Sequence, residues 1–538
     1  MAKIIYKAKK KLTNKEFLKN VFIFASIAIV VMSVIVRIIM YIKCRSLWLD
    51  EAALAENIVM RNWLELLATP LINLQSAPAL YLIVVKAIGS IFGYTEGSLR
   101  IFSFFAFIGL LICEVIFLKK IFNFSNCKIC FVVVMSALLP SYIWYSNELK
   151  PYMSDVFFVL LTILLYFYYT QNKIRLPVLT VLYILILGFS SPSVFFIGGT
   201  LSFEFVSAVL NKNKKQVLYI AISGITILAI FALYYHWWMQ PVAKDMKIAW
   251  GNDAMAQSII RRIVSIFSCM RQIYSNIFVW GFVWFFVPFA LLGIYSLCKS
   301  KNKIAWSVVL SLSLAFLASS IGKWPLACRL WLFLPAIVFI FTPIGADIIL
   351  NKAKNKKIMS AIGFFFIVVL TLSLSVNCLE FTRHRMYFPR TEINHLISYV
   401  QENIKNDEKL YVYADLVVSF RYKNGYNATK IGNATDNNII YGRMSIESET
   451  SVDIQSILEN KKTYLLIDHF SSASHFDEFQ KWLGLSVLWK YGILIKPNPV
   501  ISSQDREDGL AVLRKYGTLT KIMNVYDTYL YYFERNAD

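Results

Sequence analysis

The clearest shortage in this 538-residue chain is charge. Lysine, arginine, aspartate and glutamate make up 16% of the residues, whereas hydrophobic residues make up 57%. Because soluble globular proteins carry about 25% charged residues, this composition argues against a soluble protein and indicates a polytopic membrane protein. The net charge of +22 is explained by lysine-rich cytoplasmic loops, so no nucleic-acid partner is expected.

Cysteine is absent where a disulfide framework would need it. All eight cysteines lie at or before Cys378, so the polar C-terminal part cannot be held together by disulfide bonds. Cys127 and Cys130 form a lone C-x-x-C pair, which favours two small apolar residues at a helix start over a metal site. The five histidines are dispersed, and no metal site or firm cofactor is predicted.

Long apolar segments occupy residues 20–378, and the pattern predicts about 11 membrane spans, with 10 to 13 compatible. Loop lysines place residues 1–19 in the cytoplasm, before an uncleaved first span in the inner or plasma membrane. Residues 176–210 fit a hairpin of two spans broken at Pro192. The other spans are predicted at 20–42, 98–118, 128–146, 152–170, 216–238, 275–298, 304–321, 327–349 and 358–378.

The first external loop is predicted to cover residues 43–97, and one part of it resists a simple topology. Residues 77–93 are apolar but short for a span, and a full crossing would put every lysine-rich loop on the wrong side. Two interpretations stay open: a juxtamembrane or partly re-entrant helix, or a span balanced by an error elsewhere. Helical spacing of apolar residues from Ala55 to Leu67 predicts an amphipathic helix at the interface.

Residues 379–538 are polar and are predicted to form a small extracytoplasmic α/β domain. Helical periodicity covers 391–404, and a serine-capped helix is predicted over 474–483. Strands are predicted at 409–414, 462–468 and 526–534.

Two short stretches place carboxylates at predicted external membrane exits. "SLWLDEA" carries Asp50 and Glu51, and "YSNELKPY" carries Glu148 and Lys150. Each has a bland alternative, since acids in a first helical turn interact with the helix dipole by about 0.3–1 kcal/mol, and external loops are often polar. Together they suit a transfer in which a carboxylate takes a proton from an attacking hydroxyl while cations hold a leaving phosphate.

Further cations are predicted near the same face. Lys323 and Arg329 flank the start of an apolar span, and both could bind a phosphate together with Lys150. A charge within a span costs about 2.5–3.5 kcal/mol on insertion scales and is usually functional or snorkelling. Snorkelling is therefore the alternative for Arg329.

Together with "SAPALYL" and "GSLRIFSFF", the stretches "SLWLDEA" and "PSYIWYSNELKPY" form four blocks in order. The blocks resemble the membrane glycosyltransferases of the GT-C fold, and specifically a bacterial group with a D-E motif in the first loop. The superfamily includes the protein O-mannosyltransferases and lipid A aminoarabinose transferases. Residues 388–413 also resemble the start of the external domain that many members carry, whereas the resemblance is thin over 239–320 and 430–538.

The resemblance implies an inverting transfer from a polyprenyl-phosphate sugar donor to a hydroxyl of an external glycolipid, cell-wall polymer or protein. Asp50 would be the base, and Glu51 would support the loop or place the acceptor. Glu148 matches the second-loop acid, and Lys150 stands where an arginine is usual. The cavity for the lipid and sugar is expected to be lined by Trp48, Tyr145, Tyr152, Pro78 and Tyr81.

Departures from the family pattern leave some contacts open. Ser76 replaces a histidine near a phosphate contact of some relatives, and Lys86 is the candidate substitute. A divalent cation held by Asp50 and Glu148 is an alternative to a metal-free site. Two other classes also stay open: a flippase or transporter of lipid-linked sugars, which usually shows internal repeats and mid-membrane charges, and a non-catalytic scaffold with an external sensor domain.

Overall fold

The computed structural model describes residues 2–240, 283–321, 323–325, 328–380, 392–432, 436–443, 446, 448–468, 504–525 and 528–536. The chain divides into two compact units. The first comprises Met1–Ile42 and Asn62–Thr382, and the second comprises Lys43–Arg61 and Arg383–Asp538.

Helices dominate the described residues as far as residue 380. One of them, α2, belongs to the second unit, and the others form the first unit. They are α1 (Ala2–Lys43), α2 (Leu49–Met60), α3 (Trp63–Ala68), α4 (Ala79–Phe92), α5 (Glu96–Lys120), α6 (Asn126–Leu138), α7 (Pro140–Tyr145), α8 (Tyr152–Thr170), α9 (Leu176–Phe189), α10 (Ser193–Leu210), α11 (Lys214–Tyr234), α12 (Val283–Lys299), α13 (Lys303–Ser320), α14 (Leu334–Lys352) and α15 (Lys356–Glu380).

Within the described residues, seven helices are long and apolar enough to cross a membrane, and four shorter apolar helices accompany them. This confirms the prediction of a polytopic α-helical membrane protein, while the count of 11 spans stays a prediction. The seven are Glu16–Lys43, Glu96–Lys120, Tyr152–Thr170, Ser193–Leu210, Lys214–Trp237, Lys303–Ser320 and Leu334–Lys352, and the shorter four are Ala79–Phe92, Asn126–Leu138, Leu176–Phe189 and Phe286–Lys299.

Prolines set two of the breaks between these helices. Ser190 is extended after α9, and Pro192 precedes the first residue of α10, as the predicted hairpin requires. The predicted span at 128–146 is divided into α6 and α7, because Pro140 has no N–H to continue the first helix but is well suited to start the second.

Close helix packing in the first unit depends on small residues. A Cβ atom at Gly345 of α14 would lie 1.9 Å from the carbonyl oxygen of Phe289 in α12, and one at Gly199 of α10 would lie 2.2 Å from the hydroxyl of Ser311 in α13. Lipid tails are as apolar as the helix side chains, so the hydrophobic effect contributes little to the association of membrane helices. Close packing of this kind is therefore a main source of that association.

Helix α4 settles part of the ambiguity over residues 77–93. Its 14 residues span about 21 Å at 1.5 Å per residue, which is short of the roughly 30 Å hydrocarbon core. It ends at Gly93, whose φ of +80° suits a glycine. The length favours the juxtamembrane or re-entrant interpretation.

The second unit contains a five-stranded sheet, which confirms the predicted small α/β domain. The strand order is β2-β1-β3-β5-β4, with β1 parallel to β2 and β3, and β5 antiparallel to β3 and β4. The strands are β1 (Lys409–Val412), β2 (Ile439–Tyr441), β3 (Lys462–Asp468), β4 (Gly517–Val525) and β5 (Thr528–Arg535), and the helices after α15 are α16 (Asn394–Asn403), α17 (Val417–Asn424), α18 (Val452–Leu458) and α19 (Gln504–Tyr516).

Both faces of the sheet carry a hydrophobic core. Leu410 and Leu466 face one core, together with Leu396 of α16, whereas Tyr411 and Leu465 face the other core. This alternation is the period-two pattern of strands buried on both sides. The helix predicted at 474–483 lies outside the described residues.

The division into units differs from the predicted domain boundaries in one respect. Sequence order predicts that residues 43–61 belong to the membrane part, whereas in the structure they group with the C-terminal sheet domain. The physical reason is burial: Leu54, Ala55 and Ile58 of α2 are fully buried, and the helix packs against α17. Instead of one amphipathic interfacial helix, the segment forms α2 followed by the short α3.

Candidate functional site

Asp50 and Glu51 lie in the first turn of α2, directly after Trp48, which is extended and half-buried. The two acids have different surroundings. Asp50 is partly exposed, whereas Glu51 is fully buried and accepts a hydrogen bond from Nη1 of Arg45 at 2.8 Å. Glu51 is thus held in an ion pair that braces the start of the helix, while the carboxylate of Asp50 is the more accessible of the two.

The polar side of α2 also forms an ion pair. Glu56 is 7% exposed and lies 3.8 Å from the guanidinium of Arg421 in α17. Burial, and secondarily the Glu56 carboxylate, raise the pKa of the Tyr426 hydroxyl well above its usual value. These contacts explain why a helix with charged residues can be buried on nearly all sides.

The second motif forms a buried turn between α7 and α8 in the first unit. The hydroxyl of Ser103 in α5 donates to the carbonyl oxygen of Glu148 at 2.8 Å and lies 3.2 Å from that of Lys150. At the other end of the turn, Nε of Arg37 in α1 donates to the hydroxyl of Ser146 at 3.0 Å. Two helices therefore fix the backbone that carries Glu148 and Lys150.

Arg37 is itself fully buried within α1. Its Nη1 atom donates to the carbonyl oxygens of Ser33 at 3.1 Å and Ala137 at 3.0 Å, and its guanidinium carbon lies 3.6 Å from the ring centre of Phe107. An arginine inside an apolar segment is a signal that sequence can supply, since such charges are usually functional or snorkelling. Here the side chain is turned inward.

Lys150 of the motif and the predicted phosphate-binding residue Arg329 both have defined partners. Nζ of Lys150 donates to Oε1 of Gln75 at 2.5 Å, and both residues are buried. The guanidinium carbon of Arg329 lies 5.6 Å from the ring centre of Tyr152, which packs edge-on against Tyr145 at 5.2 Å. The structure thus brings Arg329 and both tyrosines of the motif together, whereas the Lys150 side chain is held by Gln75.

Other predicted residues of the first unit have different surroundings. The Lys86 ammonium lies 5.6 Å from the ring centres of both Trp63 and Tyr94, and Lys323 is exposed. Tyr81 is fully buried, edge-on against Phe102 at 5.5 Å, and Pro78 directly precedes α4. Roles for these side chains in binding phosphate or lining a cavity stay predictions.

Sequence reasoning missed Ser103 and Gln75. Both are uncharged and lie outside the carboxylate motifs, so only their contacts with Glu148 and Lys150 identify them. Asp50 belongs to the second unit and Glu148 to the first, so their pairing, with or without a divalent cation, stays a prediction. Among the residues that the structure describes, no group of three or more histidine, cysteine, aspartate or glutamate side chains is arranged to hold a metal ion.

Comparison with known proteins gives matches among solved structures. No protein-family model matches the chain, and no curated protein matches it. The chain is similar to the crystal structure of ArnT from Cupriavidus metallidurans in the apo state, with 10% identity, a TM-score of 0.47, and coverage of 94% of this chain and 98% of that one. For the same protein bound to undecaprenyl phosphate, the identity is 9%, the TM-score 0.44, and the coverage 96% and 98%. The functional assignment therefore rests on this chain's own residues.

Proposed function

We propose that this integral membrane protein is a glycosyltransferase of the GT-C type, which moves a sugar from a polyprenyl-phosphate donor to a hydroxyl group at the external membrane surface. The observation that carries the proposal is the turn between α7 and α8. Glu148 is fully buried there and Lys150 is 5% exposed. Burying a carboxylate and an ammonium in a unit of apolar helices costs several kcal/mol, which favours a functional demand for them.

The donor phosphate is assigned to the cations around this turn. Gln75 orients the Lys150 ammonium, and Tyr152 lies against the Arg329 guanidinium. A lysine acts as a point charge, and an arginine adds a planar fork that matches two phosphate oxygens. The two together suit a phosphate whose negative charge grows as the sugar leaves.

Activation of the acceptor hydroxyl is assigned to Asp50. As the acceptor oxygen attacks the anomeric carbon, the Asp50 carboxylate takes the hydroxyl proton. The bond between the anomeric carbon and the phosphate oxygen breaks, and the polyprenyl phosphate leaves with its electron pair. One such displacement inverts the anomeric centre. Glu51, paired with Arg45, supports the loop or places the acceptor, and Glu148 is the acid of the second motif.

A transporter of lipid-linked sugars is the second candidate, because charged residues are buried inside apolar helices. Glu114 of α5 is fully buried and accepts a hydrogen bond from the Ser136 hydroxyl at 2.6 Å, and Arg37 is buried in α1. Intramembrane ionisable groups commonly mark transport pathways.

A transfer assay on reconstituted protein separates the two functions. Vesicles containing the wild type, Asp50→Asn or the control Asp407→Asn, an exposed acid of the same unit, receive polyprenyl-phosphate sugars and a cell-envelope acceptor extract. We expect Asp50→Asn to lose about 10²- to 10⁴-fold in transfer rate, the usual contribution of a general base, and the control to keep its rate.

Two other outcomes would count against the assignment. If folded Asp50→Asn transfers sugar at the wild-type rate, Asp50 is not the base. If no form transfers sugar but all of them move the lipid-linked sugar across the vesicle membrane, the protein is a transporter.

A further inference from the structure

Ser46 of the first loop forms hydrogen bonds with Glu392, which lies 346 positions further along the chain. Its backbone N–H donates to Oε2 of Glu392 at 3.0 Å, and its hydroxyl donates to Oε1 of the same carboxylate at 2.5 Å. Glu392 is 9% exposed and Ser46 is 2% exposed. The backbone N–H of Glu392 donates to the hydroxyl of Thr528, at the start of β5, at 3.3 Å, so the backbone that carries this carboxylate is anchored to the sheet.

The same serine also caps a helix of that domain. The residue that precedes α16, Ile393, has no side-chain acceptor of its own. The Ser46 hydroxyl accepts instead from the backbone N–H groups of Ile393 and Asn394, both at 3.2 Å. A capping box normally joins a serine and a glutamate three residues apart in one helix. Here the serine comes from the first loop, and the pair Ser46–Glu392 joins the loop to the domain.

The position of this pair matters because α2 begins three residues after Ser46. Asp50 is the second residue of that helix. With Ser46 held at one end and the helix packed against α17, the direction in which α2 starts is set by the sheet domain. These contacts all lie within the second unit.

We infer that the C-terminal domain positions the base of the reaction, with Glu392 as a positioning residue that acts on Asp50 through Ser46. This inference rests on the proposed function. It gives the domain a role in turnover, whether or not it also contacts the acceptor. Glu392 does not exchange protons with substrate; it fixes the start of the helix from which Asp50 projects.

The first test measures whether Glu392 acts through Asp50. The full-length variants Ser46→Ala and Glu392→Gln are assayed for sugar transfer, with Ser398→Ala and Glu402→Gln, exposed on the same α16 helix, as controls. We expect kcat to fall about ten- to a hundredfold, as for a misplaced catalytic group, with the KM for the lipid donor within about twofold. In an Asp50→Asn background, Glu392→Gln should produce no further loss, because the effects of coupled residues are not additive.

The second test does not depend on activity. Hydrogen exchange is measured on the same reconstituted proteins, and the backbone amides of residues 52–58 should exchange about tenfold faster in Ser46→Ala and Glu392→Gln than in the wild type and both controls. Unchanged exchange in both variants overturns the inference, as does an equal loss of transfer in the wild-type and Asp50→Asn backgrounds. If Asp50→Asn abolishes transfer but Glu392→Gln does not alter it, the proposed function stands and the positioning role is wrong.

Discussion

The two acid-bearing loops were predicted from similar patterns, yet they are held in different ways. The turn with Glu148 is part of the membrane-helix unit, where Arg37 of α1 and Ser103 of α5 fix its ends. The helix with Asp50 belongs to the sheet domain, where Ser46 and Glu56 bind residues of the C-terminal part. The proposed phosphate-binding residues thus belong to the membrane-helix unit, and the proposed base belongs to the sheet domain.

The comparison also shows how each unit accommodates charge. In the membrane-helix unit, the buried guanidinium of Arg37 contacts hydroxyl and carbonyl groups and an aromatic ring. In the second unit, the carboxylates of Glu51 and Glu56 meet the arginines Arg45 and Arg421. Buried polar groups need such partners in either setting, since an unpaired one is costly.

Within the membrane-helix unit, the largest effect is expected from a change at Arg37. Arg37→Met should lower sugar transfer about ten- to a hundredfold, because Ser146 loses its anchor and the Glu148 turn shifts. Stability should change by less than about 1 kcal/mol, because the hydroxyls of Ser33 and Ser146 keep their acceptors on Ala137 and Ile143. Transfer rates and thermal unfolding measure the two quantities.

A matched control for Arg37→Met is Lys212→Met, an exposed cation in the same unit. It should leave both transfer and stability unchanged. Wild-type transfer by Arg37→Met would show that the turn does not depend on this anchor.

A smaller effect is expected at Lys150, which tests what the membrane side binds. Lys150→Met should raise the KM for the lipid donor about tenfold, equivalent to about 1.4 kcal/mol of lost binding, because a phosphate-binding charge is removed. Lys150→Arg keeps the charge and should stay within about threefold of the wild type. Steady-state kinetics with varied donor measure both, and a normal KM in Lys150→Met would remove the residue from the phosphate site.

Much of the fold could be predicted from local patterns. Strand β3 occupies the predicted residues 462–468, because a short apolar run rich in large side chains has few alternatives. The hairpin break at Pro192 followed from the chemistry of proline. For the candidate site, the structure shows Arg329 beside Tyr152 of the second motif, and the roles of these residues stay predictions.

The rest could not be predicted because it depends on distant contacts. The pairing of Ser46 with Glu392 joins positions 346 residues apart, and neither residue has a local pattern that names its partner. For the α2 segment, the sequence predicts an amphipathic helix because Glu56 and Arg61 lie between apolar residues. Its charged side is buried because Arg421 of α17 pairs with Glu56, and periodicity contains no information about a partner that lies in another segment.

The smallest effect is expected from the ion pair between Glu56 and Arg421, which sharpens the comparison within the second unit. The pair is long, at 3.8 Å, and the Arg421 side chain is 35% exposed. Such partly solvated pairs contribute at most about 1 kcal/mol. The apolar side chains of α2, of which Leu54, Ala55 and Ile58 are fully buried, should hold the helix in place without the ion pair.

Glu56→Gln should therefore keep transfer within about twofold and raise the hydrogen exchange of α2 less than Glu392→Gln does, because a pair worth at most about 1 kcal/mol can change local opening by about fivefold. Raising the salt concentration should weaken the wild-type pair and reduce the difference between the two proteins. A loss of transfer as large as that of Glu392→Gln would mean that the ion pair positions α2 as strongly as the Ser46–Glu392 hydrogen bonds do.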